Sequence, residues 1–114
     1  MLEAFFRQLS TEPDSISFAQ TLALIDALYD FTPTAFVNGA QHNQAGENNG
    51  SCKIFAFALL HQLSEPQTLQ LFGDYYRLEV LPDVKGNNHA NIRNFMRTGW
   101  DGVAFSGQAL AGKA

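Results

Sequence analysis

Leu2, Phe5, Phe6 and Leu9 recur at helical spacing, and the pattern stops at Thr11-Glu12-Pro13 because a proline disfavours helix in the residue before it. Asp14 to Ser17 offers several N-caps. From Phe18 the positions Phe18, Leu22, Ile25 and Tyr29 predict a second helix with a broad apolar face, ending near Phe31 ahead of Pro33. Thr34 to Val37 is short, β-branched and aromatic, and leads into Asn38-Gly39, which predicts a brief strand and a turn. The thirteen residues from Asn38 to Gly50 then hold no large apolar side chain, so a functional or mobile connection is expected there.

Gly50 and Ser51 open a helix through Leu63, with Ser51 as the expected cap. Its interior, Ile54 to Leu60, is apolar on every side, which assigns it to the centre of the core. Ser64 with Gln67 three places on, and Pro66 in the first turn, is a capping box that starts a helix through about Leu81. Pro82 ends it, and Asp83 to Asn88 is a polar turn. Ala90 to Thr98 is a last short helix with Ile92, Phe95 and Met96 facing inward; Gly99-Trp100-Asp101-Gly102 breaks it before a strand over Val103 to Phe105. The expected fold is one mostly helical α+β domain over residues 1–114. It has about five helices, a minimal two-stranded sheet leaning on them, and a tail disordered from about Ala111.

Composition supports a self-sufficient core: 46% of the 114 residues are hydrophobic, ten are Phe, and only 16% are charged. The lone cysteine, Cys52, excludes an intramolecular disulfide and leaves cytosolic folding as the default. No secretory leader is legible at the N-terminus. The longest apolar run, Ile54 to Leu60, is far below the roughly 20 residues of a membrane span. The net charge is -4, and residues 53–114 carry six Lys or Arg against five acids, too small an excess for general nucleic-acid binding. Neither nucleic acid nor a membrane is therefore expected as a partner.

Candidate chemistry concentrates in two segments. Gly50-Ser51-Cys52-Lys53 combines free N–H groups at a helix start with a hydroxyl and an ammonium, a combination that favours a phosphate or carboxylate. It lacks the glycine spacing of a Walker loop. His89, Arg93 and Arg97 recur every four residues as a basic stripe; a solvated face pairing with acids of the N-terminal half is the first explanation for it, and an anionic ligand or partner, with Asn91 and Asn94 nearby to orient it, is the second. Cys52 shares a helical face with Phe55, Ala56, Leu59 and Leu63, which reads as a small core residue rather than a nucleophile; His61 points to the other side. His42, His61 and His89 have no metal-ligand spacing, so neither a metal nor a cofactor is expected. Asp26 and Asp30 form no catalytic pair, and Trp100 is expected to anchor the core.

The blocks Asn49-Gly50-Ser51-Cys52-Lys53-Ile54-Phe55-Ala56-Phe57-Ala58, Phe72-Gly73-Asp74-Tyr75-Tyr76-Arg77 and His89-Ala90-Asn91-Ile92-Arg93-Asn94-Phe95-Met96-Arg97-Thr98-Gly99-Trp100 resemble the signature segments of the HopJ type III effector family. With Thr32-Pro33-Thr34 and Asn38-Gly39, the resemblance covers nearly the whole chain. It implies a bacterial protein to which no reaction is assigned, with export into a host cell as one fate and a host protein as a partner if exported. A helical pattern beginning at Leu2 differs from the polar, unstructured start of a type III export signal, so the expected location is the cytoplasm.

The reading that results is a protein that binds an anionic small molecule or a protein partner through the 38–53 loop and the His89–Arg97 helix. Its binding residues are Ser51, Lys53, His89, Asn91 and Arg93. The alternative is a small hydrolase or transferase that gathers Ser51, Lys53, His89 and Arg93 in one cleft. Both require the Ser51–Lys53 helix start and the His89–Arg93 face to meet.

Overall fold

A computed structural model describes residues 1–113. It is a single mostly helical α+β domain, as the sequence predicts. Helix α1 (Leu2–Thr11) buries Phe5 and Leu9, and a 3-10 turn (Pro13–Ser15) leads to α2 (Phe18–Leu28). Ser17 is the cap of α2, its hydroxyl accepting the Gln20 N–H at 3.0 Å. The chain becomes extended at Tyr29, so the last residues predicted to be helical form strand β1 (Tyr29–Phe31) instead.

β2 (Phe36–Asn38) and β3 (Gln41–Asn43) form a hairpin inside the segment predicted to be a loose connection. Phe36, its ring centroid 5.1 Å from that of Phe105 and 6.0 Å from that of Phe55, seats the first strand, and beyond it no large apolar side chain contributes. Asn38 and Asn43 are buried beside Phe36 and their side-chain N–H groups find acceptors inside the protein, as most buried polar groups do, whereas Asn38 Oδ1 has no partner among the described residues. Only residues 44–48 remain outside regular structure before α3 (Asn49–Leu60).

α3 is the central helix, burying Cys52, Ile54, Phe55, Phe57 and Ala58. Its cap is Asn48, in the left-handed region at φ 51°, rather than Ser51, which lies inside the first turn. It ends three residues earlier than predicted. Gln62 is left-handed at φ 56°, the Leu63 N–H reaches Ala58 O at 2.9 Å and the Gln62 N–H reaches Leu59 O at 3.2 Å, a Schellman closure without glycine.

The capping box predicted at Ser64 and Gln67 is present at the start of α4 (Glu65–Gln70). The helix does not run on to Leu81. Gly73, at φ +62°, breaks it, and a Cβ there would stand 2.5 Å from the Phe18 backbone nitrogen, so glycine lets the start of α2 approach closely. The chain resumes as a π-helical segment (Tyr75–Val80), a form that recurs at functional sites. Arg77 ties that segment to the start of α2 by donating to Pro13 O and Ile16 O.

α5 (Ala90–Thr98) buries Ile92 and Phe95, whereas Met96, predicted inward, is exposed. A 3-10 turn (Gly99–Gly102) places the Trp100 ring 4.9 Å from Phe95 and 6.3 Å from Phe55, with its indole N–H donating to Leu63 O at 2.9 Å. Trp100 is thus the anchor predicted for it. β4 (Val103–Phe105) pairs antiparallel with β2, giving the order β3-β2-β4.

The disorder predicted from about Ala111 is corrected over the described residues by β5 (Leu110–Gly112), which pairs antiparallel with β1 in a second sheet; Ala114 lies outside the described residues. Ala109 and Leu110 are buried, and Thr32 and Lys113 add backbone bonds to Ala109 O and Leu28 O on either side of the ladder. Burial of two apolar side chains holds this strand where its small and glycine residues would not.

Candidate functional site

Two helices begin at one cleft. It encloses about 330 Å³ and is lined by Asn48, Gly50 and Ser51 at the start of α3, by His89, Ala90, Asn91 and Ile92 at the start of α5, and by the rings of Phe18, Phe72 and Tyr75. Both helices enter from a left-handed cap, Asn48 at φ 51° and His89 at φ 53°. Neither cap side chain turns back on its own helix, because Asn48 Nδ2 donates to Asn43 Oδ1 at 2.8 Å and His89 Nε2 lies 2.8 Å from Glu79 Oε1. The first intrahelical bonds are made by Cys52 and Arg93, so among the described residues the N–H groups of 49–51 and 90–92 have no protein acceptor.

Amide chemistry below the cleft fixes these two starts relative to each other. Asn91 Nδ2 donates to Asn43 Oδ1 at 2.9 Å, and Asn38 Nδ2 donates to Asn91 O at 2.7 Å. Asn94 Oδ1 accepts the Ala40 N–H at 3.1 Å. The β2–β3 hairpin, the α3 cap and the first turn of α5 are therefore one hydrogen-bonded unit. These asparagines were not singled out as a set by sequence reasoning, although Phe36 and Asn38 at strand spacing, followed by Asn43 and Asn48, carried the signal.

The wall is aromatic. The Phe18 and Tyr75 centroids are 4.9 Å apart, Tyr75 and His89 are 5.1 Å apart, and the Phe18 ring lies so close to Gly50 that a Cβ there would meet Cζ at 2.8 Å. Glycine in that first turn makes room for the ring.

Of the five residues predicted to bind an anion, the cleft gathers Ser51, His89 and Asn91. Lys53 is engaged elsewhere, its ammonium 2.8 Å from Asp26 Oδ1 and 5.0 Å from the centre of the Phe31 ring. Arg93 clasps the preceding turn, donating to Asn88 O at 2.6 Å, Asn88 Oδ1 at 2.7 Å and Asp83 O at 2.7 Å. Neither cation lines the cleft. A catalytic quartet of Ser51, Lys53, His89 and Arg93 in one cleft is therefore not assembled.

Three further groups have perturbed acidities. Burial pushes the Cys52 thiol up, partly offset by its hydrogen bond to Thr34 O at 3.5 Å, so the protonated sulfur is favoured. His61, at the far end of α3, packs against Phe6 and Phe57, with Nε2 2.6 Å from Tyr29 Oη. Burial lowers the His61 pKa and raises that of Tyr29, so both are neutral near pH 7 and the phenol can donate to an unprotonated Nε2.

A family model described as HopJ type III effector protein matches residues 2–110. No curated protein matches the chain. Among solved structures, the crystal structure of VPA0580, a protein of unknown function, is similar with a TM-score of 0.97 and 51% identity, over 99% of this chain and 94% of that one.

Proposed function

The chain belongs to the HopJ type III effector protein family, and we propose that it binds an anionic small molecule in the cleft between the starts of α3 and α5. The observation that carries this reading is the convergence of two helix N-termini whose N–H groups lack protein acceptors. Each helix start favours negative charge through its dipole and its unpaired donors. A left-handed cap followed by helical residues also turns successive N–H groups inward, as in backbone anion nests. Ser51 adds a hydroxyl and His89 an imidazole. Phe18, Phe72 and Tyr75 supply apolar wall, which suits a ligand with a carboxylate or phosphate at one end and a flat or apolar body. With Lys53 and Arg93 held outside, recognition rests on dipoles and N–H donors rather than on full charges.

We place this binding in the cytoplasm as part of the same reading; the family's description as type III effectors makes a host cell the second location to test. Ligand class is tested by thermal-shift measurements against phosphates, nucleotides and aromatic or aliphatic carboxylates. A ligand present at a hundredfold excess over its Kd should stabilise the fold by about 2.7 kcal/mol. A panel in which no anion raises Tm above matched ionic-strength controls would remove the reading.

A further inference from the structure

A second groove lies further along α5 and shares no lining residue with the cleft. It is formed by Val80, Val84, Gly86, Arg93, Met96 and Arg97. Of its apolar lining Val80 is buried, whereas Val84 is 82% exposed and Met96 44%; Leu81 and Leu78, outside the lining but on the preceding segment, are exposed as well. Side chains of this size gain most from being covered, at about 25 cal/mol per Å² of apolar surface buried. Val80, the last residue of the π-helical segment, forms part of the groove's floor.

Charge says what could cover it. Arg97 and Lys85, beside Met96 and Val84 in the chain, form no ion pair or side-chain hydrogen bond among the described residues, and both are exposed. Arg93 is held by the turn, with its nearest carboxylate oxygen, on Asp83, at 3.9 Å. The other acid of this region, Glu79, hydrogen-bonds His89 at 2.8 Å, an ion pair only where His89 is protonated. Three cations, Lys85, Arg93 and Arg97, thus face two carboxylates, Glu79 and Asp83, which leaves this region positive in a protein whose net charge is -4.

We propose that this groove docks an acidic amphipathic peptide segment of a partner protein, with two or more large apolar side chains against Val84 and Met96 and a carboxylate against Arg97. Guanidinium and carboxylate match as a bidentate pair. An apolar helix face laid in a groove of this kind is a recurring recognition mode. An anionic membrane is the less fitting occupant, because the surface is concave and the molecule as a whole is acidic.

The test is selection of a random dodecapeptide display library on the full chain, followed by affinity measurement of the enriched peptides. Sequences with at least one Asp or Glu and at least two large apolar residues are expected, with binding that weakens as salt rises. Val84→Glu and Arg97→Glu should each lower affinity about tenfold or more. Both positions are exposed, so the variants are expected to fold; a circular dichroism melt confirms this before binding is read. The proposal is overturned by the absence of enrichment, by a consensus without acids, or by affinities unchanged in both variants. Arg97-dependent sedimentation with phosphatidylserine vesicles, without peptide binding, overturns it in favour of a membrane. None of these outcomes bears on the anion cleft, whose lining residues are different.

Discussion

Asn43 and Asn91 exchange two side-chain hydrogen bonds, Asn91 Nδ2 donating to Asn43 Oδ1 at 2.9 Å and Asn43 Nδ2 donating to Asn91 Oδ1 at 3.1 Å. Each also carries another partner, since Asn48 donates to Asn43 and Asn38 donates to Asn91. The pair therefore couples the hairpin to both helix starts. Removing either amide leaves buried donors and acceptors unpaired, at about 1–3 kcal/mol for each orphaned group. Asn91→Ala and Asn43→Ala should each destabilise the fold by about 3 kcal/mol in urea unfolding, and the double variant by much less than the sum. Losses below about 1 kcal/mol would show that the network does not hold the site.

The hairpin's protection against exchange is a second expectation. Amides donated within the β2 pairings to β3 and β4 should exchange slowly, and those of residues 45 and 46 rapidly. Hydrogen exchange followed by NMR distinguishes this from a uniformly fast 38–50 segment, which is what hydropathy alone predicts.

Cys52 is 1% exposed and its thiol is pushed up by burial. Modification by a disulfide reagent at pH 8 should follow the opening rate of the native protein and become fast only in denaturant. Equal rates in both conditions contradict its assignment to the core.

The lowered pKa of His61 links stability to pH. Its folded value lies below its unfolded value, so its contribution is fully present above the unfolded pKa of about 6.5. That contribution is lost progressively as pH falls from there through the folded pKa, because the unfolded chain takes up the proton first. Stability should decline from pH 7 toward pH 5, and His61→Gln should flatten that slope while keeping a polar group near Tyr29. An unchanged slope in the variant assigns the pH dependence to other groups.

Most of the helical framework was legible because it depends on local signals: Pro13 and Ser17 before α2, the Ser64–Gln67 box, and glycine at Gly99 after α5. The misplacements share one cause, that distant contacts override local preference. Gly73 breaks a continuous apolar period because the start of α2 presses on it. Leu110–Gly112 becomes a strand because β1 is there to pair with it. Ser51 and His89 were recognisable as neighbours of a helix start, and the cleft gathers them. The diversion of Lys53 to Asp26 and of Arg93 to the 83–88 turn depends on partners 27 residues away in one case and on a turn conformation in the other. No spacing rule reports either.

The most direct measurement of the proposed site is a two-dimensional NMR titration of the uniformly labelled full chain with inorganic phosphate, and with benzoate as an anion carrying a flat apolar body, at constant ionic strength. Saturable shifts concentrated in the amides of Asn49, Gly50, Ser51, Ala90, Asn91 and Ile92 are predicted, with benzoate also moving the Phe18 and Tyr75 ring signals. Shifts that never saturate, or that fall on Lys53, Lys85 and Arg97 instead, would contradict an anion site built from the two helix starts.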